Sequence, residues 1–129
     1  MPAPKKLPFP FILEMLYPLQ PVTKPMFGCH AVYVREKIML ILRQKETHDE
    51  SNGVWIATSR EHHDSLRKDF PSMHSVYVLS DGKGETDWQM IHADADDFES
   101  SAVRACELIL KGDPRIGRVP KGRKKKKAN

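Results

Sequence analysis

Apolar residues recur along this chain with two different periods, and the change of period marks its elements. Towards the C-terminal side, Phe98, Ala102, Ala105, Cys106 and Ile109 fall three and four apart, the spacing of one helical face, with Val103 and Leu110 at its edges. Glu99, Arg104, Glu107 and Lys111 point away from that face, and Glu107 and Lys111 have the spacing of a helical ion pair. Asp96 and Glu99 offer a capping box at the start. Gly112, followed by Pro114, predicts the stop. A second helical stretch spans residues 11–17, with Pro10 at the first helical position and Pro18 and Pro21 ending it. A third opens on Thr58-x-x-Glu61, another capping box. It is anchored by Leu66 and Phe70, runs to about Asp69 and stops before Pro71.

Between these helices the period is two. Residues 27–35 and 38–44 are rich in apolar and β-branched side chains, which predicts a hairpin turning on Glu36-Lys37. Alternation puts Phe27, Cys29, Ala31 and Tyr33 on one face of its first strand and Gly28, His30, Val32 and Val34 on the other. A polar loop ends in the turn signal Asn52-Gly53, and residues 54–57 form the next strand. Residues 75–79 and 87–92 read as strands around the Asp81-Gly82-Lys83-Gly84 loop. The proline-bearing stretch 20–25 reads as a connector. The order is α-β-β-β-α-β-β-α. Its short gaps imply an α+β fold, an antiparallel sheet of about five strands flanked by helices. A single domain is expected over residues 10–112, with a proline-rich arm at 1–9 and a basic, disordered tail at 113–129.

Charge sharpens the boundary at Gly112. Of the 129 residues, 1–110 hold 12 Lys/Arg against 16 Asp/Glu, while 111–129 hold nine against one. The formal total of +4 therefore hides a mildly acidic body and a strongly basic end. The candidate contacts are Arg115, Arg118, Lys121, Arg123, Lys124, Lys125, Lys126 and Lys127. Such a run attracts phosphates by releasing counterions, without reading sequence, a reading that covers RNA, DNA and anionic lipid; RNA or DNA is the expected partner. No aromatic residue is interleaved to stack on bases. The plainer alternatives are a solubilising tail, or one that folds back on the acidic body.

Catalytic and metal chemistry finds little purchase. His62-His63 are neighbours, and adjacent helical residues point about 100° apart, so they do not chelate one ion easily. Cys29 and His30 are neighbours on a strand and face opposite sides. Asp94, Asp96 and Asp97 lack the glycine of a calcium loop and suit a helix start. The Asp81–Gly84 loop lacks phosphate-loop spacing. No catalytic residue, metal ligand or cofactor is assigned. Trp55 and Trp88 fall in strands and suit a core. With His30 and His92 they form the one candidate ligand platform. Two cysteines, no secretory leader pattern and no run near the roughly 20 apolar residues of a membrane span lead to a cytoplasmic expectation with reduced thiols.

The stretch Lys24-Pro-Met-Phe-Gly-Cys-His-Ala-Val-Tyr33 resembles the opening of the TfoX N-terminal domain, where a basic residue and a Met-Phe-Gly turn lead into a first hairpin. The stretch from Leu66-Arg-Lys-Asp-Phe-Pro71 through Asp87-Trp88 to the last helix is similar to the MmcQ/YjbR group. The likeness covers roughly residues 23–110 and leaves out the tail. Where that family often has Gly-Gly, this chain has Gly28-Cys29. The resemblance implies a small α+β domain with a curved antiparallel sheet and a non-enzymatic role, regulatory or linked to nucleic acid. A non-catalytic binding domain with a phosphate-contacting tail is thus the leading expectation. A protein-interaction or homodimerisation module is the first alternative, and a small enzyme or ligand binder using His and Trp in a sheet pocket is the second.

Overall fold

A computed structural model of the chain describes residues 7–26, 28–76 and 86–119. The fold is α+β: six antiparallel strands in the order β1-β2-β3-β4-β6-β5, with three α-helices. The strands are β1 (Val22–Met26), β2 (Cys29–Val34), β3 (Lys37–Arg43), β4 (Gly53–Ile56), β5 (His74–Ser75) and β6 (Gln89–His92). The helices are α1 (Pro10–Leu16), α2 (His63–Asp69) and α3 (Phe98–Leu110).

The strand beyond the expected five is β1, in the stretch that reads as a connector. Pro25 sits within it, opposite His30. A proline is tolerated there because β1 is the sheet edge and needs no ladder on its outer side. The hairpin closes one residue earlier than its sequence suggests. Val34 pairs with Lys37, which makes Arg35-Glu36 the turn, and a bulge at Met39 of β3 follows, opposite Val32 and Tyr33 of β2. Arg35 adopts a left-handed φ of 58° at this turn. β2 alternates without interruption, Val32 and Val34 facing one core cluster and Cys29, Ala31 and Tyr33 the other, while on β3 the bulge lets the adjacent Met39 and Leu40 face the same cluster. The expected loop at 81–84, part of the expected strand at 75–79, and Phe27 lie outside the described residues.

The sheet is apolar on both faces. One carries Val32, Leu40, Leu42, Val54 and Ile91 beneath α1, α2 and α3. Leu66 and Phe70 anchor α2 there, as their spacing predicts, and Cys106 of α3 lies against the Ile12 carbonyl of α1. The other face carries Ala31, Tyr33, Ile41, Trp55 and Met90, with Trp88 and Met26 packed against them. Gly53 has no room for a side chain: a Cβ would land on the Ile91 carbonyl of the adjacent β6.

The helix ends are built differently from their sequence signals. Neither capping box forms. Thr58 turns its hydroxyl to the Ser59 carbonyl, a 3-10 turn (Arg60–His62) leads into α2, and Asp97 rather than Asp96 precedes α3 without a side-chain cap. Glu107 pairs with Arg104 at 3.4 Å instead of with Lys111. The end of α3 is as expected. Gly112, at φ 78°, donates to the Ile109 carbonyl and Asp113 to that of Leu108, closing the last turn.

Both ends of the domain extend further than the charge and proline patterns indicate. Leu7 and Phe9, expected in a loose arm, pack on the core, with Phe9 stacked at a tilt on Phe98. Past Gly112 the chain stays on the domain: Ile116 is buried, and Ile38 and Arg118 exchange a pair of backbone hydrogen bonds. Gly117 donates to the Ala57 carbonyl beside them. Residues 117–118 thus continue the sheet next to β3, where β4 has ended.

Candidate functional site

Two of the tail cations are committed to the domain. Arg115 places its guanidinium against Asp113 at 2.8 Å and Asp69 at 3.0 Å, and Arg104 reaches the other oxygen of Asp69 at 3.0 Å. Burial alone would push the Asp69 carboxyl up. Hydrogen bonds from Arg104 and Arg115 outweigh it and hold the group below the ordinary carboxylate range. The hydrogen bond from Arg115 does the same for Asp113. Arg118 meets Asp87 at 3.2 Å and donates to the Thr58 carbonyl. Arg115 and Arg118, expected in an unattached tail, are therefore structural latches between α2, α3 and the sheet. The remaining candidates, Lys121, Arg123, Lys124, Lys125, Lys126 and Lys127, lie outside the described residues.

The candidate platform divides between the two faces of the sheet. Trp55 and Trp88 meet edge-to-face, ring centroids 6.5 Å apart. Trp55 is only 2% exposed, and its indole N–H donates to the Ser51 carbonyl, so it is a core residue rather than a ligand surface. His30 stands opposite Leu42, in the row that continues to Val54 and Ile91 on the helix-covered face. That places it on the other side of the sheet from the tryptophans. Both ring nitrogens of His92 are occupied: Nε2 donates to the Asp49 carbonyl and Nδ1 accepts from the Asp94 N–H. His92 staples the β3–β4 loop to the β6–α3 turn. The division separates His30 from the tryptophans, while His74 and His92 lie on the tryptophan face, where His74 stands opposite Met90.

The other reactive side chains have structural partners. His63 is buried and donates to the Asp87 carbonyl at 3.1 Å. Cys106 is buried between α1 and α3, which pushes its thiol up to about 12. Burial likewise raises Cys29, although Arg43 and Lys45 pull against it. Among the described residues no three His, Cys, Asp or Glu side chains gather as a metal site.

Arg43 had no sequence signal beyond its place at a strand end, yet it organises the longest described loop. It is 7% exposed and donates to the carbonyls of Thr47 and His48 and to Asn52 Oδ1. Asn52 also exchanges hydrogen bonds with the backbone of Lys45. A buried guanidinium held by three oxygens makes this loop a built feature rather than a slack connection.

A cleft of about 470 Å³ lies between the β2–β3 turn and the end of α3. Val34, Met39, Ile109 and Ile116 form part of its floor, and Arg35, Lys37 and Lys111 stand on its rim. Val119, the last residue before the basic run, also lines it. The local pattern could not show this cleft, because its walls come from four separate parts of the chain.

No helix among the described residues is long and apolar enough to cross a membrane. No family model, curated protein or solved structure matches the chain.

Proposed function

We propose that this chain is a non-catalytic binding domain that contacts nucleic-acid phosphates through Lys121, Arg123 and Lys124–Lys127. One observation carries the reading: six cations with no acid among them follow a segment bonded into the sheet, on a body whose net charge is negative. Arg115 and Arg118 are excluded from the contact set because Asp69, Asp113 and Asp87 hold them. The likeness to the TfoX N-terminal domain supports the same reading by implying a regulatory or nucleic-acid-linked role. Affinity then comes from phosphate contact, and any selectivity from the folded body. The non-catalytic reading is supported by the partners of the reactive groups: buried thiols with raised pKa values, and His63 and His92 held by backbone carbonyls.

The test compares the whole chain with a chain ending at Val119 by fluorescence anisotropy on a labelled single strand. The whole chain should bind with a log–log salt slope of about −4, for six phosphates at roughly −0.7 each. The shortened chain should lose that binding while keeping its circular dichroism spectrum. Equal binding by both forms overturns the proposal. Ending the chain at Gly112 would be a poor test, because it also removes Ile116 and the Arg115 latch.

A further inference from the structure

We propose that the cleft between the β2–β3 turn and the end of α3 is a binding site for a free acyl carboxylate, a single unbranched chain with an anionic head. The inference is independent of the basic run and concerns a different ligand class.

The floor defines the body of the ligand. Its side chains are aliphatic or thioether: Leu19, Val34, Met39, Ile109, Leu110 and Ile116, drawn from the 3-10 turn after α1, the hairpin, α3 and the segment after it. No aromatic ring lines the cleft to stack on a base, and no amide or hydroxyl side chain lines it to read a sugar or a base edge. A surface of this kind rewards an alkyl chain. The volume of about 470 Å³ lies within the range of about 300–1,000 Å³ usual for small-molecule sites. Leu110 is already 38% exposed at the cleft, on a helix whose other apolar side chains are largely covered.

The rim defines the head. Arg35, Lys37 and Lys111 line the mouth, and among the described residues none of them has a carboxylate partner. The two acids of the lining are Glu36 and Asp113, and Asp113 is already bound by Arg115. The balance at the mouth is cationic. The C-terminus of α3 would ordinarily repel an anion. Here the carbonyls of Glu107, Leu108 and Ile109 are taken by the N–H groups of Lys111, Asp113 and Gly112. Arg35 also stands at a left-handed φ of 58°, where glycine would fit with less strain. An apolar trough with a cationic mouth selects an anionic amphiphile over a neutral one.

The experiment is isothermal titration calorimetry of the whole chain with octanoate, decanoate, dodecanoate and dodecanol, each below the concentration at which it aggregates. Affinity should rise about fourfold per methylene. Attraction of the head to the basic run alone gives no such dependence on length. Dodecanol should bind at least tenfold more weakly than dodecanoate. Arg35→Gly combined with Lys111→Gln should weaken dodecanoate at least tenfold. Arg35→Gly relieves the backbone at that turn, so misfolding does not account for a loss. A flat chain-length series, equal binding of dodecanol, or an unchanged affinity in the double variant overturns the site. Cosedimentation with phosphatidylglycerol vesicles in the absence of dodecanoate binding also overturns it, by replacing the free acid with a membrane surface. Any of these results leaves the nucleic-acid proposal standing, since that one is decided by removal of residues 120–129.

Discussion

Arg35 and Asp69 show how individual side chains here answer to backbone and charge rather than to local pattern. The sequence places the hairpin turn at Glu36-Lys37, but the backbone puts the left-handed position on Arg35. A left-handed L-residue costs roughly 1–2 kcal/mol, partly offset by the entropy glycine loses on folding. Arg35→Gly should therefore raise stability by about 0.5–1 kcal/mol, read from urea unfolding. Asp69 is the opposite case, a residue whose charge the fold needs. Its carboxyl and that of Asp113 titrate below their unfolded values. The stability they add is fully present above the unfolded carboxylate pKa of about 3.9 and is lost as pH falls through the lower folded values. The melting temperature should hold steady from neutral pH to about 5 and fall below about 4. Asp69→Asn should cost about 1–3 kcal/mol at pH 7 and flatten that acid limb. An acid limb as steep in the variant as in the parent would assign the effect to other carboxylates.

Among the elements, α3 and the segment that follows it set the limits of the domain. The period of α3 and its glycine stop are legible because both are local: the face repeats within one turn, and the cap needs only a residue comfortable at φ 78°. The capping boxes were legible as patterns and still did not form, since tertiary packing drew Thr58 and the start of α3 into other geometries. β1 could not be read at all. Its strand character depends on β2 lying alongside it, and Val22 within it is 53% exposed, so no alternation of burial marks it. Residues 113–119 were hidden by their charge. One apolar residue, Ile116, ties them down, and Ile116→Ala should cost about 2–4 kcal/mol. A chain ending at Gly112 should unfold at lower urea than one ending at Val119. The latter should match the whole chain, which places the working boundary of the domain after residue 119.

For the whole molecule the governing feature is the uneven distribution of charge about a two-faced sheet. Residues 118 and 119 lie next to β3 and at the cleft, and the first residues after α3 spend their cations on the body's own aspartates. Polyanion binding should therefore depend on residues 121–127 and weaken steeply with salt, while stability depends on Arg115 and barely at all on the run. Swapping Lys124–Lys127 for glutamine should flatten the salt slope by about three, at roughly −0.7 per contact, and leave the melting temperature unchanged. Edge-to-edge self-association through β1 is disfavoured by Lys24 and Pro25 on that strand.

The amino-acid sequence by itself determined the fold class, the three helices, the alternating faces of β2, the stop at Gly112 and the asymmetry of charge. Each of these depends on residues within a few positions of one another, or on simple counts. Only the tertiary structure decided that His30 and the tryptophans lie on opposite faces, that Arg43 is the hub of a loop, that Arg115 and Arg118 are latches, and that a cleft opens beside Val119. Those outcomes join positions dozens of residues apart. Their partners are set by which strands neighbour one another and how the helices pack, and short-range periodicity carries no record of that choice.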